Sequence, residues 1–152
     1  VGTSPWHPVL QGTTSATSAA AGGADAQKIG RLTSVPITVP TGAEGLALML
    51  AGFDGTTDTQ GYGVEPDVNY VDVFLNKNPL TKITRVYPPG GAVGHPAVDR
   101  VIDMTPYVGQ QIIIDVVDNS GVEAGTFNTW MAVDFIRFVG EGGTAVRNWD
   151  LY

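Results

Sequence analysis

Apolar residues along this chain come in short runs broken by glycine and proline, never at sustained helical spacing. Arg31-Leu-Thr-Ser-Val-Pro-Ile-Thr-Val39 is rich in β-branched residues, and Pro36 confines it to an edge or a bulge. Leu46–Ala51 is bounded by Gly45 and Gly52, which makes it too short for a stable helix but long enough for a buried strand. In Val68–Leu75, Val71, Val73 and Leu75 share one face with the polar Asn69, while Tyr70, Asp72 and Phe74 make the other face mixed. The turn Asn76-Lys-Asn-Pro79 followed by Thr81–Tyr87 predicts a hairpin. Val98–Met104 precedes a Thr105–Gly109 turn. Gln111–Val117 is the most apolar run and is expected at the centre of a sheet. Thr129–Val139 and a terminal segment within Ala145–Tyr152 complete about eight strands.

Many short strands with frequent turn signals predict an all-β fold, an antiparallel β-sandwich of jelly-roll type. Ahead of it, residues 1–25 contain the small-residue run Gly12–Gly23 and read as an extended arm or linker, with residues 26–152 forming the sandwich. Such an arm can also pack against a partner chain. The chain begins at Val without a signal peptide, which fits a processed mature protein or a piece of a longer one.

Composition narrows the chemistry. Gly (20) and Pro (10) among 152 residues argue against a helical bundle. Eight Lys and Arg against 15 Asp and Glu argue against counterion-release binding to nucleic acid. No apolar run is long enough to span a bilayer as a helix. The absence of Cys removes thiol catalysis, disulfides and thiolate metal sites. His7 and His95 alone titrate near neutrality, with no partner His or Cys and no G-x-S-x-G elbow. Fifteen acids single out no pair with glycosidase roles, so the domain is expected to be non-catalytic.

Two polar segments are candidates for binding. Asp54, Thr56, Asp58, Gln60 and Glu65 fall at positions 1, 3, 5, 7 and 12 of a twelve-residue window, the offsets of a calcium loop, although Thr59 stands where Gly is usual. Ca²⁺ held by Asp54, Asp58 and Glu65 is one expectation, a solvated loop the other. Residues 118–130 gather Asp118, Asn119, Glu123, Asn128 and Trp130, the acids, amides and flat ring that sugar recognition uses. Ordinary turn chemistry, with Trp130 in the core, is the alternative. Asp115 and Asp134 lie within apolar strands. If they face inward they need donors, for which Arg137 or Arg100 would serve; alternation also allows both to face solvent.

The motifs Gly30–Val39, Ile102-Asp-Met-Thr-Pro-Tyr-Val-Gly109, Gln111–Asp118 and Trp130-Met-Ala-Val-Asp-Phe-Ile-Arg-Phe138 resemble, in order and spacing, the galactose-binding-like jelly-roll modules of secreted glycoside hydrolases of the levanase and invertase type. The chain departs from their pattern at Ile102 (Trp in the family), Phe135 (Asp) and Trp130 (His). The resemblance implies a secreted or cell-surface carbohydrate-binding module that binds through loops at one end of the sandwich. The departures leave a second expectation open: a structural or accessory subunit of an extracellular assembly or filament, held by protein–protein contacts.

Overall fold

The computed structural model describes residues 30–52, 69–89, 97–119 and 131–140, with the backbone of two outlying strands. Among the described residues ten strands run in chain order: β1 (Ala16–Thr17), β2 (Gly30–Ser34), β3 (Ile37–Thr38), β4 (Ala43–Gly52), β5 (Asn69–Leu75), β6 (Thr81–Val86), β7 (Val98–Asp103), β8 (Gln111–Asp118), β9 (Met131–Gly140) and β10 (Trp149–Leu151). All pairings are antiparallel. One sheet has the order β1-β9-β4-β7, the other β10-β2-β8-β5-β6, with β3 also on β8. The two pack as a sandwich compatible with a jelly-roll-like fold. Among the described residues there is one 3₁₀ turn, Thr105–Tyr107, and no α-helix.

Period-two alternation builds the core. Leu46, Leu48 and Leu50 of β4 meet Val71 and Val73 of β5 and Ile112 and Ile114 of β8, all with no exposed surface. Met131, Val133, Ile136 and Phe138 of β9 close it from the first sheet. The apolar β8 stands third along the five-strand path of its six-stranded sheet, the central place its composition predicts.

Two local features differ from the simplest reading of the sequence. Gly45 does not end a strand but lies inside the ten-residue β4, where a Cβ would sit 2.8 Å from Val101 Cγ1 and 3.0 Å from Val139 Cγ2. It is a close-approach glycine rather than a strand breaker. Pro36 produces a bulge: Thr33 pairs with Asp115 and Ile37 with Ile112, so four steps along β2–β3 match three along β8. Ser34 Oγ accepts the Ile114 N–H at 2.9 Å within that irregular stretch. The arm is not wholly separate from the sandwich either, since Ala16 and Thr17 pair with Val133 and Ala132.

The lower end of the sandwich is laced by backbone hydrogen bonds. Val39 N–H donates to Gln110, Gly109 N–H to Val39, and Met104 N–H to Glu44. Gly109 has φ +77°, a left-handed conformation that glycine adopts freely. Thus the motif 102–109 serves the fold: Asp103 Oδ1 accepts the Thr105 N–H at 2.9 Å and the chain turns tightly into β8.

Gly45→Ala is expected to destabilise the domain by about 1–3 kcal/mol through overpacking. Adding Val101→Ala should recover part of that loss in urea unfolding, because Val101 is the nearest obstacle. Equal losses with and without the second change would disprove the close-approach account.

Candidate functional site

β4 and β8 both run upward from the laced end, so Gly52 and Asp118 finish on the opposite end together. There Gly52 pairs with Met131, and Asp118 pairs with both Gly30 and Asn69. The strand ends flanking residues 53–68 and 120–130 are therefore brought to one end of the sandwich. The register fixes this regardless of what the connecting segments do.

Of the predicted sugar-contacting residues, Asp118 ends β8 on the core face and is buried, directly opposite the fully buried Asn69. Asn119, one residue on, is exposed. Glu123, Asn128 and Trp130 lie outside the described residues, as do Asp54, Asp58 and Glu65. Among the described residues no group of three or more His, Cys, Asp or Glu stands ready to hold a metal ion.

A second polar cluster was not anticipated. It covers the outer face of the β10-β2-β8-β5-β6 sheet, where Thr33, Asp115, Asp72 and Arg85 form one row across β2, β8, β5 and β6. Asp72 and Asp115 face each other directly, and both are buried although they point away from the core. Arg85 grips Asp72 with Nε at 2.7 Å and Nη2 at 2.8 Å, and Lys82 Nζ adds a contact at 2.9 Å. Arg31 holds Asp115 through Nε at 2.8 Å and through Nη2, while the Thr33 hydroxyl donates at 2.6 Å. Asp115 thus draws its donors from β2. The donors expected from sequence are engaged elsewhere: Arg137 with Asp99 at 3.1 Å, and Arg100 with the Tyr87 carbonyl at 3.3 Å. Asp134 accepts the Phe135 N–H at 2.7 Å.

The charges in this layer stabilise one another. Burial pushes the Asp72 carboxyl up, but hydrogen bonds from Arg85 and Lys82 outweigh it, so its pKa lies below the ordinary 3.8. The hydrogen bond to Asp72 raises Arg85, and that to Asp115 raises Arg31. Arg85 also lies flat on Tyr70, its guanidinium carbon 3.5 Å from the ring centroid, and Lys82 stands 5.7 Å over Phe74. On the opposite sheet Arg137 caps Phe135 at 4.3 Å.

A bulge in the β5–β6 hairpin sets the Asp72–Arg85 pairing. Counting back from the Leu75–Thr81 pair sets Asp72 against Thr84; the register shift between Val73 and Phe74 moves it to Arg85. No family model matches the chain, and no curated protein matches it. Among the described residues no helix is long and apolar enough to cross a membrane.

Removing Arg85 strips a nearly buried carboxylate of its bidentate partner while Asp115 still faces it, so Arg85→Ala should cost about 2–4 kcal/mol. Arg31 is 62% exposed at its side chain, and Thr33 remains beside Asp115. Arg31→Ala should cost less, about 1 kcal/mol. The pH dependence has a definite sign. The Asp72 carboxyl is lower in the folded chain, so on acidification the unfolded chain takes up the proton first. Its contribution is complete above about pH 4 and declines as pH falls through the folded pKa. In urea titrations from pH 7 to pH 2.5, the stability gap between wild type and Asp72→Asn should narrow below pH 4. A constant gap would show that ionisation of Asp72 contributes nothing.

Proposed function

We propose that this chain is a non-catalytic binding module of secreted or cell-surface type that takes carbohydrate at the end of the sandwich where Asp118 and Asn69 meet. The observation that carries the reading is the register of β5 on β8, which roots both polar segments at the same end. Asn119, Glu123 and Asn128 supply hydrogen-bonding groups there and Trp130 the flat apolar face, while Asp118 anchors the segment at its root. Asp54, Asp58 and Glu65 hold Ca²⁺ that orders the neighbouring segment.

The sheet faces support this assignment by contrast. A sugar stacks its C–H face on an open aromatic ring. Tyr70, Phe74 and Phe135 each carry a cation over the ring. The motif resemblance to galactose-binding-like modules of glycoside hydrolases points to the same end and to the same ligand class.

A glycan array probed with and without EDTA tests the reading. It should give a sugar signal that weakens on chelation and is lost in Trp130→Ala, with the fold retained by circular dichroism. Silence across neutral and acidic glycans would refute carbohydrate as the ligand. Unfolding of Trp130→Ala would place that ring in the core.

A further inference from the structure

The two outer faces of the sandwich differ in what they show to solvent. On the β10-β2-β8-β5-β6 sheet the acids lie beneath the cations: side-chain exposure is 62% for Arg31 and 45% for Lys82, against 5% for Asp72 and 3% for Asp115. Arg85 adds a third cation, and the half-buried Tyr70, Phe74, Ile113 and Val117 fill the spaces between. Among the described residues of this face three cations stand over two buried acids, in a chain of net charge −7.

The opposite outer face, on β9, β4 and β7, has the reverse character. Among the described residues it carries Asp99, Asp103 and Asp134 with one guanidinium, that of Arg137, which pairs with Asp99 at 3.1 Å. β4 places Gly45, Ala47, Met49 and Ala51 on the floor of this face, with Met49 half-buried between Asp99 and Asp134 in the register and Ala47 level with Arg137. Two large apolar side chains stand out from that floor, Val101 at 64% and Phe135 at 37% exposure.

Phe135 is the unusual residue. Its φ of +49° is disfavoured for a bulky side chain, and it sits in the bulge where Asp134–Arg137 of β9 oppose Met49–Ala47 of β4. Asp134 Oδ1 fixes that backbone by accepting its N–H. The ring keeps one intramolecular contact, the Arg137 guanidinium 4.3 Å from its centroid, and is otherwise partly open to water; backbone strain of this kind clusters at sites of use.

From these observations we propose that the anionic, apolar face around Phe135 and Val101 docks on the cationic outer face around Arg31 and Lys82 of a second copy of this chain. The contact joins two different faces, so it is head-to-tail and propagates into an open stack instead of closing as a two-fold dimer. Three strands about 4.8 Å apart and up to ten residues long offer about 500 Å² a side. About 1,000 Å² in total is the low end for a specific contact, so the association is weak and concentration-dependent.

Sedimentation velocity from about 5 µM to 500 µM tests this. The weight-average mass should rise past that of a dimer as concentration increases. A monomer throughout, or a plateau at the dimer, overturns the proposal. Phe135→Asn provides the second test, because Asn tolerates positive φ. This variant should keep or raise its melting temperature and lose association at least tenfold; unchanged association overturns the proposal. The third test is complementation. Val101→Lys/Phe135→Asn blocks one face and Val117→Glu blocks the other, so each variant alone should stay monomeric while their equimolar mixture forms dimers and stops there. Absence of a mixed dimer, with both variants folded by circular dichroism, shows that the faces do not meet.

Discussion

Two carboxylates face one another across the middle of a sheet, and most of the chain's polar organisation follows from that constraint. Like charges directly opposite on neighbouring strands repel, and with both side chains nearly dry the repulsion is little screened. Asp72 and Asp115 persist there because β2 supplies Arg31 and Thr33 on one side and β6 supplies Arg85 and Lys82 on the other. The layer is therefore a register device as well as a stabilising one. Sliding β5 by one residue against β8 would turn Asp72 into the core and Val71 and Val73 out of it. It would also leave Arg85 and Lys82 without their carboxylate. Hydrophobic alternation alone sets which face is buried; the paired ions decide which residue stands opposite which.

Much of the fold could be read from the chain because it rests on local signals. The β5–β6 hairpin announces itself through the turn at 76–80, and Gln111–Val117 takes the central place because every neighbour of a central strand is apolar on the core side. What could not be read depends on contacts between distant segments. Gly45 looks like a strand end until Val101 and Val139 are seen to press on it. Arg31 is 84 residues from Asp115, and no rule of spacing joins them. Phe135 shows in the sequence as one substitution in a motif, but its positive φ belongs to a bulge that only pairing with β4 defines. Of the candidate site, the placement of Asp118 and Asn119 follows from the end of β8. The roles of Glu123, Asn128, Trp130, Asp54, Asp58 and Glu65 depend on segments outside the described residues.

The ion layer also distributes work over the molecular surface. A cation on an aromatic ring uses the face that a sugar would need, and this happens at Tyr70, Phe74 and Phe135. The flat faces are thereby suited to charge and shape rather than to stacking with a pyranose. The end of the sandwich differs in kind. There the polar pair Asn69 and Asp118 lies on the core side and is buried, while Asn119 reaches solvent. A buried root beneath an exposed rim is how a loop site is held in place without making the whole loop rigid.

Stacking through faces and binding through an end are compatible because they use perpendicular directions. Each sandwich is two sheets about 10 Å apart, and a face-to-face contact adds about 10 Å more. A stack would then present one binding end about every 20 Å along its side. Single carbohydrate contacts on shallow loops are weak, and a repeating ligand meeting a repeating array gains through effective concentration without any new contact. The two uses are also independently variable. On the two proposals, changes at Phe135 or Val101 would alter how many ends act together, whereas changes at residues 118–130 would alter what each end holds. In the proposed stack, avidity would come from assembly more than from any one end.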